Sequence, residues 1–150
     1  MVAQARFEDV EQIRDLIGFY AKRGLMLPRS LNYVYEHLRE HVVEKKDDLV
    51  IGCCALHITW EKMAEIKSLA VDPRYAKKGV GAKLLKHCLK EAENLGIKKV
   101  FTLTLEPEFF KKHGFKPTPK EKLPMKIWGE CALCNKYPDC DEQALITEIK

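Results

Sequence analysis

One stretch near the middle of the chain constrains the fold more than any other. It reads Ile66-Lys-Ser-Leu-Ala-Val-Asp-Pro-Arg-Tyr-Ala-Lys-Lys-Gly-Val-Gly-Ala-Lys-Leu-Leu85, an apolar strand, a basic turn and then a helix. The first N–H groups of a helix have no partner within it, and the helix dipole adds partial positive charge there. Gly79 and Gly81 let an anion approach the backbone, and Lys77 and Lys78 add full charges. The stretch therefore predicts a phosphate or pyrophosphate site. A tight helix entry that binds nothing is the alternative.

The composition is typical of one globular domain. The chain has 150 residues, of which 46% are hydrophobic and 32% charged, and its formal net charge is +4. The lysines are spread along the chain rather than clustered, so nucleic-acid binding is not expected. No apolar run is long enough to span a membrane, and the first residues lack a signal-peptide pattern. These features predict a single domain over residues 1–150 in the cytoplasm.

Hydrophobic periodicity and turn residues predict the remaining elements. The predicted helices are residues 8–22, residues 30–39 with Ser30 as N-cap, a helix from the basic turn to Gly96, and residues 107–113. The predicted strands are residues 41–44, 49–58, 64–71, 100–105 and 143–149. Helices come first, and strands interrupted by two helices follow. This order predicts an α/β or α+β fold with one mixed sheet.

A glycine turn between a strand and a helix has three familiar forms. A Walker-type loop needs Lys and Ser or Thr after its last glycine, whereas Gly81 is followed by Ala82 and Lys83. The dinucleotide fingerprint needs three spaced glycines, and the turn has two. The third form follows a strand ending in Val-Asp-Pro and reads Gln/Arg-x-x-Gly-x-Gly/Ala. Here Ser68-Leu-Ala-Val-Asp-Pro73 leads into Ala76-Lys-Lys-Gly-Val-Gly81, which resembles the pyrophosphate turn of the GCN5-related N-acetyltransferases (GNAT).

The resemblance implies that family's fold, a central mixed twisted sheet with helices on both faces, and acetyl-CoA as cosubstrate. In that family the strand before the turn splays from its neighbour, so that its last backbone groups pair with pantetheine. The implied cofactor-binding residues are Leu69, Ala70, Val71, Lys77, Lys78, Gly79, Val80, Gly81, Ala82, Phe109 and Phe110. Ala76 departs from the motif, because Gln or Arg usually holds this position.

A second signature of the family is a strand, a short helix and Gly-Phe, and residues 100–115 match it. Family members often carry a Tyr in the short helix, which protonates the departing thiolate. This chain has Phe109 and Phe110 instead. Water, or the modest basicity of the thiol itself, must then serve, because a thiolate is a fair leaving group near neutral pH.

Three further stretches narrow the resemblance. Residues 24–30, 54–70 and 123–142 are similar to the short amino-acid N-acetyltransferases and to the catalytic domain of N-acetylglutamate synthase. This similarity implies direct acetyl transfer in a ternary complex to the α-amino group of L-glutamate, in arginine biosynthesis. Another amine acceptor, or a non-catalytic acyl-CoA or metal sensor, remains an alternative. The expected partner is a small amino acid, and assembly as a homodimer stays open.

Such an acceptor needs cations for its carboxylates and a base for its amine. Arg29 lies on a predicted turn, where its planar guanidinium suits a carboxylate. Lys67 lies on the strand before the basic turn. Glu65 is the candidate base, with His57 on the neighbouring strand as the alternative. Strand alternation places Glu65 and Lys67 on one face. Each could instead be an ordinary surface or core residue.

The cysteines near the C-terminus form the last motif. Cys131 and Cys134 have the spacing of metal ligands, and Cys140 follows in a Pro-containing loop at about residues 128–142. Structural zinc is one interpretation, and redox thiols or small core residues are the others. Cys53, Cys54 and Cys88 are expected to be buried apolar residues.

Overall fold

The computed structural model describes residues 1–123 and 142–149. The helices in these residues are α1 (Val10–Ala21), α2 (Leu31–Glu36), α3 (Val80–Leu95) and α4 (Pro107–Lys111). The strands are β1 (Val2–Gln4), β2 (His41–Lys46), β3 (Leu49–Trp60), β4 (Met63–Val71), β5 (Lys99–Thr104), β6 (Lys116–Pro117) and β7 (Gln143–Glu148). Short 3-10 turns lie at Phe7–Asp9, Leu38–Glu40, Pro73–Tyr75 and Lys120–Lys122.

The strands of this described part form one sheet in the order β1-β2-β3-β4-β5-β7-β6. Neighbouring strands pair antiparallel except β4 and β5, which pair parallel. Parallel neighbours need a crossover connection, and α3 provides it between β4 and β5. The expected mixed sheet is therefore confirmed.

Helices cover both faces of the sheet. On one face α3 and α4 pack against β3, β4 and β5; this core consists of Leu56, Ile66, Val80, Leu84, Leu85, Cys88, Val100, Phe110 and their neighbours. On the other face α1 and α2 pack through Val10, Ile13, Ile17 and Val34 against Val43, Cys53 and Ala70. Cys53, Cys54 and Cys88 are all fully buried, as expected.

Local signals placed most elements correctly, and the differences have physical reasons. Ser30 caps α2, because its Oγ accepts a hydrogen bond from the N–H of Tyr33 at 3.0 Å. The helix nevertheless ends at Glu36 and continues as a 3-10 turn. Trp60 and Met63, expected in a connection, are paired strand residues, because a two-residue turn with Lys62 at φ 56° closes the hairpin directly. Strand β1 was not predicted, since three residues carry too little pattern.

Gly52 sets how closely α3 approaches the sheet. A Cβ at this position would lie 2.8 Å from Cγ1 of Val80 and 2.9 Å from Cδ1 of Leu84, both in the first two turns of α3. Any side chain at position 52 would therefore push the start of α3 away from β3. Because the basic turn leads directly into α3, Gly52 also fixes the position of that turn.

We expect Gly52→Ala to lower the free energy of unfolding by about 1–3 kcal/mol, since an added methyl overpacks this core. Urea denaturation followed by circular dichroism measures the change. Gly18→Ala is the matched control, because a Cβ at Gly18 in α1 meets nothing within 4 Å. We expect the control to be neutral or stabilising by about 0.5–1 kcal/mol. Equal stability of Gly52→Ala and wild type would contradict the close packing.

Candidate active site

The central feature of the candidate site is a gap between two parallel strands. Pairing of β4 with β5 runs from Met63 opposite Lys99 to Ile66 opposite Thr102 and stops there. Strand β4 continues to Val71, so within the described residues its last five have no strand partner on this side. Where the strands part, Oγ1 of Thr102 donates a hydrogen bond to the carbonyl of Ile66 at 2.9 Å. This is the splay that the family resemblance implied.

A β-bulge accompanies the separation. Lys67 lies opposite Ala55 and Ala70 opposite Cys53, so β4 carries one residue more than β3 in this interval. Ser68, inside the bulge, has φ 56°, which few residues other than glycine adopt. A bulge bends its strand and increases the local twist. The bend begins immediately after the last residue that pairs with β5.

The turn after β4 is held by Asp72 and Arg74. The Asp72 carboxylate accepts the N–H of Arg74 at 2.9 Å and two guanidinium hydrogen bonds at 3.1 and 2.8 Å. These contacts hold the pKa of Asp72 below its usual value. The N–H of Asp72 donates to the carbonyl of Ile51 at 2.8 Å, which ties the turn to β3. Beyond it, Lys77 and Lys78 are exposed.

The start of α3 closes the basic turn. Gly79 is the N-cap of α3 with φ 84°, a left-handed conformation that suits glycine. At Gly81 a Cβ would lie 3.4 Å from Cζ of Phe109 and 3.7 Å from Cγ2 of Val71. The structure thus brings together the end of β4, the first turn of α3 and the aromatic ring of α4. Phe110, by contrast, is buried in the core.

Glu65 and Lys67 lie on the sheet face that α1 and α2 cover. Their exposed fractions are only 6% and 8%. Glu65 is directly opposite His57 across the β3–β4 pair, and Lys67 is opposite Ala55. Direct partners in an antiparallel pair have neighbouring side chains on one face. The prediction that Glu65 and Lys67 share a face is therefore confirmed, and His57 lies beside them.

Tyr33 of α2 connects the two predicted substrate cations. The Cζ atom of Arg29 lies over the Tyr33 ring at 4.3 Å from its centroid, and Nζ of Lys67 lies at 5.9 Å. Arg29 and Lys67 are 38 positions apart in the chain, so only the fold brings them together. Sequence reasoning did not identify Tyr33. The available signal was the four-residue spacing of Tyr33 and His37, which places both on one side of the helix predicted over residues 30–39, whereas Arg29 precedes that helix.

Histidines extend this cluster towards Glu65. The ring of His37 stacks on Tyr33 with a centroid distance of 3.9 Å and an interplanar angle of 20°. The rings of His37 and His57 are 6.1 Å apart. Nδ1–H of His57 donates to Oε2 of Glu40 at 2.7 Å, so Nε2 is the nitrogen of His57 that can accept a proton. Glu40, like Tyr33 and His37, was not identified from sequence.

His41 is a buried histidine that contacts the backbone of this cluster. It is 1% exposed, and its Nδ1–H donates to the carbonyl of His37 at 2.8 Å. Its Nε2 has no hydrogen-bond partner among the described residues. Burial lowers the pKa of His41, so the imidazole is mainly neutral in the folded protein at pH 7.

Comparisons with known proteins agree with this geometry. The sequence model of the family described as "Acetyltransferase (GNAT) family" matches residues 7–115. The chain belongs to the GNAT family. The match covers α1 to α4 and includes the splayed strand, the basic turn and Arg29, Glu65 and Lys67. The expected family and fold are therefore confirmed, and the chain is an acetyltransferase.

Individual relatives are also acetyltransferases by name. An uncharacterized N-acetyltransferase of Chlorobaculum tepidum is 40% identical over 99% of this chain and 96% of its own length. An amino-acid acetyltransferase of Mycobacterium tuberculosis is 35% identical over 91% of this chain and 79% of its own. N-acetylglutamate synthase from Neisseria gonorrhoeae, solved with coenzyme A and N-acetyl-glutamate, has a TM-score of 0.91 and 28% identity. This GNAT chain is fully covered by that match but spans 35% of the Neisseria chain.

Two further expectations concern metals and membranes. Cys131, Cys134 and Cys140 lie outside the described residues, so the metal prediction at these cysteines stays a prediction. Among residues 1–123 and 142–149, no group of three or more His, Cys, Asp or Glu side chains is arranged to hold a metal ion. The helices in the same ranges are all too short or too polar to cross a membrane.

The buried His41 predicts a pH dependence of stability in this acetyltransferase. Burial lowers the pKa of His41 in the folded protein below the usual 6.5 of histidine, so the unfolded chain binds the extra proton first. The contribution of the neutral His41 to the free energy of unfolding is therefore fully present above pH 6.5. It is lost as the pH falls from there through the pKa of His41 in the folded protein. We expect urea unfolding free energies to decline over this window in wild type.

The matched variant is His41→Phe, which cannot be protonated. We expect the decline below pH 6.5 to be shallower in His41→Phe, whatever its absolute stability. The slope is the relevant quantity, because the substitution also removes a hydrogen bond. Burial also lowers the pKa of His113. Because His113 is present in both proteins, its effect cancels from the comparison. Identical slopes in the two proteins would contradict a neutral buried His41.

Proposed function

We propose that this chain transfers the acetyl group of acetyl-CoA to the α-amino group of L-glutamate. The choice of glutamate as acceptor rests on one observation. Arg29 and Lys67 converge on the ring of Tyr33, on the sheet face that also holds Glu65. The two cations match the two carboxylates of glutamate. The carboxylate of Glu65 matches the amine, which must be deprotonated. The family supplies the acetyl-transfer chemistry.

The cofactor side of the proposal rests on the gap between β4 and β5. Backbone groups at Leu69 to Val71, beyond the last β5 pair, can hydrogen-bond to the amides of pantetheine in the manner of a missing strand. The N–H groups that open α3 at Gly79, Val80 and Gly81 then face the pyrophosphate. Lys77 and Lys78 supply the charge that Ala76 lacks. The Neisseria neighbour, solved with coenzyme A, supports this placement.

The acceptor side follows from charge and burial. Arg29 can bind one carboxylate through its planar fork, and Lys67 can bind the other as a point charge. Lys67 is nearly buried, where electrostatic attraction is stronger than in water. With both carboxylates held, the amine is directed towards Glu65. Positioning of this kind supplies a large part of the rate in bimolecular transfer.

The chemistry removes two protons from the substrate nitrogen, one before attack and one as the amide forms, and releases one thiolate. Glu65 accepts a proton from the substrate ammonium, directly or through water, and the free amine attacks the thioester carbonyl carbon. The C–N bond forms, the nitrogen loses its second proton to water, the C–S bond breaks, and the sulfur leaves as thiolate. Phe109 and Phe110 offer no hydroxyl, so water protonates the thiolate. His57 lies opposite Glu65, and its Nε2 can take the proton onward.

Thiol release from acetyl-CoA with a panel of amino acids and amines tests the proposal. Release with glutamate as the preferred acceptor supports it. Preference for another amine would keep acetyl transfer and overturn the acceptor. Binding of acetyl-CoA without release in the presence of any acceptor would indicate an acyl-CoA sensor and overturn the enzymatic function. Mass spectrometry of the product should show the acetyl group on the α-nitrogen.

We expect Arg29→Ala to raise the KM for glutamate about 10- to 100-fold, the cost of losing a hydrogen bond to a charged group. The KM for acetyl-CoA should stay nearly unchanged, because the cofactor turn lies on the other side of the β4 bulge. Arg14→Ala is the matched control, since Arg14 is a surface residue of α1 paired with Asp15. Equal increases in both KM values would remove the binding role of Arg29.

We expect Glu65→Gln to lower kcat about 100-fold or more near neutral pH, because the amide cannot accept a proton. The deficit should shrink at alkaline pH, where the amine loses its proton without help. Glu61→Gln, at the exposed tip of the β3–β4 hairpin, is the control and should behave as wild type. A Glu65→Gln enzyme that keeps the wild-type kcat from neutral to alkaline pH would contradict the role of Glu65 as base.

A further inference from the structure

We infer that Tyr33 is a positioning residue that holds Arg29 and Lys67 as a pair and thereby makes the site selective for an acidic acceptor. The inference deepens the proposed function and rests on it. Tyr33 belongs to neither the splayed strand nor the basic turn. Its importance follows from three contacts that meet at one aromatic ring.

The ring of Tyr33 is clamped between two planar groups. His37 stacks on it at a centroid distance of 3.9 Å, and the guanidinium carbon of Arg29 lies over it at 4.3 Å. Two planar groups at these distances cannot occupy the same face of one ring. Imidazole and guanidinium therefore lie on opposite faces, and the phenol ring between them has one orientation. A guanidinium stacked on a ring directs its N–H donors outward in its own plane, which is the geometry in which it binds a carboxylate.

The ring also relieves an electrostatic conflict. Arg29 and Lys67 carry like charges and are no farther apart than the sum of their distances to the Tyr33 centroid, so they repel each other. The face of an aromatic ring carries negative potential, which attracts Arg29 at 4.3 Å directly and Lys67 at 5.9 Å from farther out, near the limit for such contacts. Tyr33 thus keeps two cations close before any acceptor arrives. Such preorganisation lowers the cost of binding a dicarboxylate.

The backbone of Tyr33 is fixed as firmly as its ring. Its N–H donates to Oγ of Ser30 at 3.0 Å, and its carbonyl accepts Nδ1–H of His37 at 2.8 Å. The carbonyl also accepts the backbone N–H of His37 at 3.0 Å. Residues on both sides of Tyr33 in the chain therefore hold it in place. The ring position is a property of the fold rather than of a mobile side chain.

The test compares Tyr33→Leu, which removes the ring, with Tyr33→Phe, which keeps the ring and removes the hydroxyl. The readout is the ratio of kcat/KM for glutamate to that for glutamine, its uncharged isostere. We expect this ratio to fall about tenfold in Tyr33→Leu, within the roughly two- to thirty-fold range of cation–π contacts. Tyr33→Phe should retain the wild-type ratio. The KM for acetyl-CoA should stay constant in both variants.

The outcomes separate this inference from the proposed function. The wild-type preference for glutamate over other acceptors decides the proposed function, and a wild type that prefers a neutral acceptor overturns both. A wild type that prefers glutamate, with an unchanged ratio in Tyr33→Leu, overturns the inference alone. A merely structural role would lower kcat for both acceptors equally and leave the ratio intact. Should Tyr33→Leu fail to fold, Tyr33→Met removes the ring with a more adaptable side chain.

Discussion

The separation of β4 from β5 after Ile66 is the constraint on which the rest of the structure depends. Up to that residue the two strands pair in parallel, and beyond it the backbone of β4 has no β5 partner. The bulge at Ser68 bends β4 at the same point. A sheet interior does not normally leave backbone groups unpaired, because each costs free energy when it is buried away from water. The open edge of β4 is therefore suited to an extended ligand with its own amides.

Packing on one face of the sheet fixes the basic turn and the start of α3, where pyrophosphate binding is proposed. The first turn of α3 lies directly over Gly52, where no side chain larger than hydrogen fits. The turn before it is tied to β3 through the N–H of Asp72 and to Arg74 through its carboxylate. Phe109 of α4 closes the other side against Gly81. The start of α3 thus has little freedom, and such preorganisation is what the proposed binding of a large cofactor requires.

The opposite face carries the proposed acceptor site, and its charges are unusual for a sheet face covered by helices. Glu65 and Lys67 are nearly buried, and ionised groups are rarely buried unless neighbouring groups compensate the lost hydration. Tyr33 and His57 lie beside them. A fold gains little stability from such an arrangement, since desolvation offsets much of the attraction. Its presence at the point where β4 parts from β5 points to function instead of stability.

Local sequence determined much of the fold and the cofactor side. The hydrophobic period of α3, the cap at Ser30 and the Asp-Pro and glycine turn are all encoded within short stretches, so they could be predicted with the order of elements. The family resemblance of this turn implied the splay of β4, which the register confirms. Arg29, Glu65 and Lys67 were identified as chemically suitable residues, but only as individuals.

Tertiary structure alone decided which of these residues meet. No local pattern relates Arg29 to Lys67, because their proximity depends on the tertiary contact between Tyr33 of α2 and Lys67 of β4. The same packing gives Tyr33 its role and places Glu40 against His57. Strand β1 has three residues and exists because β2 offers it a pairing edge. Short-range preferences fix helices, caps and turns, whereas long-range packing fixes the distances between side chains on which a binding site depends.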